Sequence, residues 1–200
     1  MWYNRFRKNE ARFRVSCSLL YFINGKEKKM PSFTKKAILE SFLLLCAKKP
    51  IEKITVRDVV DDCGVNRNTF YYYFEDIYAV LACVLTEQME NLPDGPASLI
   101  VREAFLRLSD FAGKYPKAAR NLAGSLGMDG LSRYLAPLLR ETLSKSLPPE
   151  SDPLAARFLT HALLGVFMDF LREGELHRGK FTDPGPLADR LAALAARFES

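Results

Sequence analysis

The chain has 200 residues, 48% of them hydrophobic and 26% charged, enough apolar side chain for one ordinary domain or for a small domain plus a larger one. No apolar run approaches the ~18 uninterrupted residues of a membrane-spanning helix, which argues against a membrane partner. The formal charge of +5 suggests a nucleic-acid partner, but residues 1–30 hold eight Lys/Arg against two Glu, while residues 31–92 hold seven against nine acids. The basic excess therefore lies outside the middle of the chain, and any DNA contact there has to come from local placement rather than net charge.

Residues 1–30 form a basic N-terminal extension with an apolar stretch from Val15 to Ile23. A secretion signal is disfavoured, because Asn24-Gly-Lys-Glu-Lys-Lys29 offers no small-residue cleavage site. Two readings stay open: Met30 is the native start, or the segment is an arm that adds phosphate contacts and steepens the salt dependence of binding. In either case it is expected to be poorly ordered or loosely packed. Cys17, Cys46, Cys63 and Cys83 lack CxxC spacing. They read as small apolar residues of a reducing cytoplasm, with no metal or cofactor implied.

Residues 55–74 carry the strongest local signals. Thr55 with Asp58 is a capping box, and Val56, Val59, Val60 and Cys63 share one helix face. Gly64 supplies a stop, Val65 plugs the turn and Asn66 caps the next helix. Phe70 and Phe74 then face the core, which leaves Arg67, Asn68, Thr69, Tyr71 and Tyr73 on the other faces. This is a helix-turn-helix, whose second helix enters the major groove by its N-terminal residues. Arg and Asn can pair with guanine and adenine edges, while Thr and Tyr hydroxyls suit phosphates.

From about Thr34 to Leu92 the chain resembles the DNA-binding domain of the TetR family of bacterial regulators. The resemblance rests on Lys35–Lys49 as first helix, Ile54-Thr-Val-Arg-Asp-Val-Val60 as second, and Asn66-Arg-Asn-Thr-Phe-Tyr-Tyr-Tyr-Phe74 as recognition helix. Within the family it is similar to a subset akin to the activator of dihydroxyacetone kinase operons. The resemblance implies phosphate contact by Thr55, base contacts by Arg67, Asn68 and Thr69, and backbone contacts by Tyr71 and Tyr73. Lys36 and Arg57, with Lys35, are expected to face the duplex. The family's usual Lys near the start of the fourth helix is replaced by Ile77, although that helix's N-terminus remains able to hold a phosphate.

Leu92-Pro-Asp-Gly-Pro96 breaks the pattern and marks a junction between residues 31–92 and residues 93–200. Helices are expected over Ala97–Lys114, Pro116–Leu126, Leu131–Leu147, Pro153–Arg172 and Pro186–Phe198, with 127–130 and 174–185 loosened. The whole is an all-α protein: a helix-turn-helix domain followed by a helical dimerisation and effector-binding bundle. The helix after Pro153 is apolar over more than one face, through Leu159, Leu163, Phe167, Phe170 and Leu171. By resemblance, the last two helices pair with a second copy through Ala162, Gly165, Val166, Asp169, Leu191 and Leu194.

The resemblance also implies an effector pocket between the middle helices, with Phe105, Phe111, Tyr115, Tyr134, Phe158 and Phe167 as candidate lining. His161 reads as a hydrogen-bonded core residue, and His177 lies in a polar loop. The expected function is that of a homodimeric, ligand-responsive DNA-binding repressor in the cytoplasm. The alternative is a coactivator that binds a protein such as a metabolic kinase subunit and has no small-molecule pocket. No nucleophile–base pair, phosphate loop or metal-ligand spacing points to an enzyme.

Overall fold

The structure is a computed structural model that describes residues 33–176 and 183–199. The N-terminal extension, Cys17 and His177 lie outside the described residues. Among those described, all regular structure is helical: α1 (Phe33–Cys46), a 3-10 turn (Ile51–Lys53), α2 (Val56–Cys63), α3 (Arg67–Tyr73), α4 (Ile77–Glu87), α5 (Ala97–Lys114), α6 (Pro116–Ser146), α7 (Ala155–Leu176), α8 (Gly185–Ala195) and a closing 3-10 turn (Ala196–Phe198). No described helix is long and apolar enough to cross a membrane.

The first four helices are set by their caps. Thr55 and Asp58 form the reciprocal capping box that starts α2. Gly64 ends α2 at φ 69°; a Cβ there would meet nothing within 4 Å, so the turn needs glycine for its left-handed backbone and not for space. The Asn66 side chain accepts the Asn68 N–H at 2.8 Å and starts α3. Asp76 accepts the Ala79 N–H at 2.8 Å and starts α4. α1 lies across α2, and the Ser41 hydroxyl donates to the Val59 carbonyl at 3.3 Å.

The later helices pack α6 on α7, α8 on α5, and α5 on both α6 and α7. Phe105 is fully buried among them, edge-on to Phe167 and Phe170 at centroid distances of 6.4 and 5.7 Å. The first part of α6 also rests on α1, where the Asn121 side-chain amide donates to the Cys46 carbonyl at 2.8 Å. At the end of α4, Asn91 adopts φ 57°, and the Arg107 guanidinium donates to the Glu90 and Asn91 carbonyls. The apolar core runs without interruption from α1 to α8.

Several expected boundaries shift. The loosened stretch of α6 shrinks to Gly127 (φ 60°, ψ −170°), and Met128 to Gly130 are helical. That φ/ψ pair is open essentially to glycine alone, so one residue suffices to break the helix direction. α7 begins at Ala155, because Asp152 accepts the Leu154 N–H at 2.7 Å and shapes a turn around Pro153. It runs past Arg172 to Leu176, since Gly174 lowers helix propensity without preventing it.

α7 buries one broad face, through residues such as Leu159, Leu163, Leu164, Phe167 and Phe170, rather than its whole girth. His161 falls on the other side and is exposed, which corrects its reading as a core residue. A helical turn places it between the buried Thr160 and the half-buried Ala162, away from α5 and α6.

Candidate nucleic-acid interface

Asn66 and Phe70 together determine what α3 displays. With Phe70 fully buried and Phe74 nearly so, the 100° step of a helix sends Asn68 and position 72 to the outermost ridge. Arg67 and Tyr71 share one flank. The Arg67 Nη2 donates to the Tyr71 hydroxyl at 3.2 Å, and the guanidinium carbon lies 5.6 Å from the ring centroid. Thr69 occupies the opposite flank, half-buried. Tyr73 does not stand out with Tyr71: it is half-buried and packs against the core, so its expected outward placement is corrected. The reason is its position three residues after Phe70, which brings it back towards the buried face.

Tyr72 is the residue that reading the sequence missed. It is 82% exposed, the most exposed aromatic of the turn region. It lies four residues after Asn68, so the same 3.6-residue period that identified Phe70 and Phe74 as buried could have placed it.

Thr55 stands exposed at the start of α2, but its donors are engaged inside the protein. Its N–H and hydroxyl both donate to the Asp58 carboxylate, at 2.8 and 2.7 Å. Lys49 pairs with the same carboxylate at 2.8 Å. The Lys49 ammonium first, then the Thr55 hydroxyl and N–H, hold the Asp58 carboxyl down to about 2. A phosphate contact by the Thr55 hydroxyl therefore requires it to turn away from Asp58. Arg57 is exposed and pairs only loosely with Asp61, at 3.4 Å.

Lys36 is not gathered with these residues. It lines a cleft between α1, the end of α4 and the end of α5. Ile77 is buried, so the first turn of α4 presents no side-chain cation there. The Asp76 carboxylate already accepts one of that turn's free N–H groups.

The six aromatic residues expected to line one pocket are dispersed. Phe105 and Phe167 are packed together in the core. Phe111 and Tyr115 line the cleft beside α1. Tyr134 sits on α6, where burial above all, opposed by Arg133 and helped by Tyr78 and Asp76, pushes its phenol up to about 12. Phe158 is 59% exposed on the outside of α7, which excludes it from any interior pocket. It stacks obliquely on Phe198 at 5.6 Å.

Of the six residues expected at a dimer seam, Ala162, Gly165 and Val166 are half-buried, while Asp169 and Leu194 are exposed on the outer side of the molecule. Leu191 instead is buried in the chain's own core, because α8 packs closely on α5 and turns that face inward. Exposed Leu154, just before α7, and exposed Phe158 lie on this outer side together with exposed Arg157 and His161. Burial pushes the Cys46 and Cys83 thiols up to about 12, with Glu87 adding to the shift at Cys83. These two cysteines are therefore poor nucleophiles.

Residues 38–83 match the sequence pattern of the bacterial regulatory proteins of the tetR family. A stretch of 63 residues, 32% of this chain, is 27% identical to the uncharacterized HTH-type transcriptional regulator YxbF of Bacillus subtilis (strain 168), and spans only 17% of that protein's length. The solved structure of the dihydroxyacetone kinase operon activator DhaS superposes with a TM-score of 0.56 at 16% identity, covering 84% of this chain and 99% of that one. A TetR transcriptional regulator from Rhodococcus sp. RHA1 gives 0.55 at 19% identity, over 82% of this chain and 95% of that one. The fatty acid degradation regulator FadR from Bacillus halodurans gives 0.53 at 16% identity, over 84% and 96%. At these identities the structural likenesses establish the fold alone: an N-terminal helix-turn-helix domain and a C-terminal helical bundle.

Proposed function

We propose that the chain is a DNA-binding transcriptional regulator of the tetR family, whose pattern its residues 38–83 match, and that it acts as a ligand-responsive homodimeric repressor. The observation that carries this reading is the exposed outer face of α3. Asn68 and Tyr72 form its ridge, Arg67 is held against Tyr71, and Phe70 anchors the helix from below. Such a face matches the groove-reading side of a recognition helix, with a bidentate donor and an amide near the helix N-terminus.

Arg67, Asn68 and Thr69 supply base contacts; Arg57, Tyr71 and Tyr72 supply phosphate contacts, with Thr55 after its hydroxyl turns. Two copies are needed, because one seven-residue helix reads only a half-site, and paired half-sites lie about one DNA turn apart. The exposed surface of α7 and the exposed Leu194 of α8 are the parts that join them. Leu154 and Phe158 there are apolar side chains that water would otherwise cover. An effector regulates the dimer by favouring one separation of the two readers over another.

The test is fluorescence-anisotropy binding of the full chain to DNA from upstream of its own gene, against scrambled DNA, at near-physiological salt. Selective binding is the expected result; equal affinity for both sequences overturns the reading. One observation favours the coactivator alternative: the aromatic residues expected to form an interior pocket do not converge. Specific capture of a protein encoded beside this gene, with no small molecule shifting DNA affinity, would establish it.

A further inference from the structure

A sizeable opening lies between the helix-turn-helix region and the later helices, outside the latter's own core. It is a cleft of about 740 Å³ between α1, the C-terminal turns of α4 and α5, and Phe170 of α7. That volume falls within the usual range for small-molecule sites, roughly 300–1,000 Å³. Its apolar wall comes from Leu43, Val84, Phe111 and Phe170, and its rim carries Glu40, Glu87, Asp110 and Asp183 against Lys36 and Lys114.

The charges are unequally available. Glu87 is held from behind by Lys35 at 3.1 Å, and Glu40 is 4.0 Å from Lys36. Asp183 uses one oxygen to accept the Gly185 N–H at 3.0 Å and keeps the other. Asp110 is exposed and forms no ion pair among the described residues. The Lys114 ammonium lies 5.2 Å from the Tyr115 ring centroid, so an aromatic face at this rim already accommodates a cation.

The geometry points to this cleft as an effector site for a small organic cation: an amine with an aryl or alkyl body. With Lys35 and Lys36 set against Glu87 and Glu40, the two carboxylates left without an ion pair among the described residues, Asp110 and Asp183, favour a positive ligand, and the apolar wall takes its body. The ammonium group lies towards Asp110 and Asp183, and the body lies against Phe111, Phe170 and Leu43. The occupant bridges the DNA reader and the rest of the chain, because α1 supplies one wall and α5 with α7 the other. α1 in turn holds α2 through the Ser41–Val59 hydrogen bond. A ligand that prefers one attitude of α1 thus biases the position of α3. This coupling rests on the regulator reading above, whereas the binding site itself does not.

The test is calorimetric titration of the full chain, without DNA, by 4-phenylbutylamine, the neutral 4-phenylbutan-1-ol and the anionic 4-phenylbutyrate. The amine is expected to saturate one site per chain, ahead of the alcohol, and to exceed the carboxylate by about tenfold or more. Asp110→Asn should weaken the amine about three- to tenfold and leave the alcohol unchanged, as loss of one partly solvated charge contact would.

Gly113 lines the cleft, and a Cβ there would meet nothing within 4 Å. Because the position is also exposed, Gly113→Trp is expected to fold, as circular dichroism would check, and to abolish binding of all three compounds. The site is overturned by equal affinity for the three, by preference for the carboxylate, by no binding of any, or by an amine affinity that neither variant changes. Adding the amine to the protein–operator complex then tests the coupling, which fails if operator affinity is unmoved. Should the amine series hold while no DNA is bound selectively, the cleft stands and the regulator reading falls.

Discussion

α3 and α7 each bury one face and display another, but the displayed faces differ in kind. α3 shows Arg67, Asn68 and Tyr72, which are polar or amphipathic and able to donate hydrogen bonds. α7 and the turn before it show Leu154 and Phe158 beside the small residues Ala162 and Gly165, an apolar surface in which exposed Arg157 and His161 are set. The inner faces, Phe70 in one and Phe167 in the other, are chemically alike and say nothing of partners. The outward faces are therefore what the two proposed partners would read: donors over a groove-sized helix suit DNA, and an apolar surface with an Arg and a His set in it suits another protein surface.

The largest effect should come from an inner face and affect both outer faces alike. Phe105→Ala is expected to destabilise the chain by about 3–5 kcal/mol, as for other buried aromatic truncations, read by urea unfolding. A loss below about 1 kcal/mol would mean that the core relaxes around the missing ring.

Phe158→Asp separates the two displayed faces. It should leave the monomer's stability nearly unchanged, because the side chain is 59% exposed. It should weaken self-association by about 2–3 kcal/mol, the scale of an interface anchor, in sedimentation velocity over a concentration series. Dimers that persist unchanged would remove α7 from the interface.

On the other helix, Arg67→Ala should cost about 1–3 kcal/mol of preference for operator over scrambled DNA. Thr69→Ala and Tyr71→Ala should lower operator affinity with the dimer fraction intact, and Tyr72→Ala should weaken binding about equally across sequences with the salt slope unchanged, because a neutral phenol releases no counterion. Unchanged DNA affinity across this set would break the contrast between α3 and α7.

The smallest effect concerns the cap that positions α3 through α2. Thr55→Ala should cost about 1 kcal/mol of stability. Asp58 adds a pH signature. Its folded carboxyl is held down to about 2, chiefly by Lys49, whereas an unfolded aspartate titrates near ~3.9. Because the folded value is depressed, the stabilisation is present above the unfolded value and fades as pH falls from there towards about 2. The stability gap between the wild type and Asp58→Asn, followed by thermal unfolding, should close over that window. A gap independent of pH would mean that the ionised carboxylate contributes nothing.

Most of α2 and α3 was legible residue by residue, because caps, a left-handed glycine and a buried Phe pair act within a few residues of themselves. Tyr72 and Tyr73 show the limit of that reading: both are tyrosines of one short run, and only their angle from Phe70 separates an exposed ring from a half-buried one. In the later helices, the break at Gly127 was visible as a glycine, but its confinement to a single residue was not. The aromatic residues there carried no mark of destination, since Phe105 and Phe158 are equally apolar and sit equally well in a helix.

The sequence by itself determined the all-helical character, the helix-turn-helix with Thr55, Gly64 and Asn66 at its joints, and the buried pair Phe70 and Phe74. Each of these depends on backbone conformation or on spacing along a single helix. Only the tertiary structure decided that His161 and Phe158 face outward, that Leu191 turns inward on α5, and that Lys36, Phe111 and Tyr115 meet at one cleft. A side chain's burial depends on which neighbouring helix covers its face, and that is set by the packing of elements far apart in the chain.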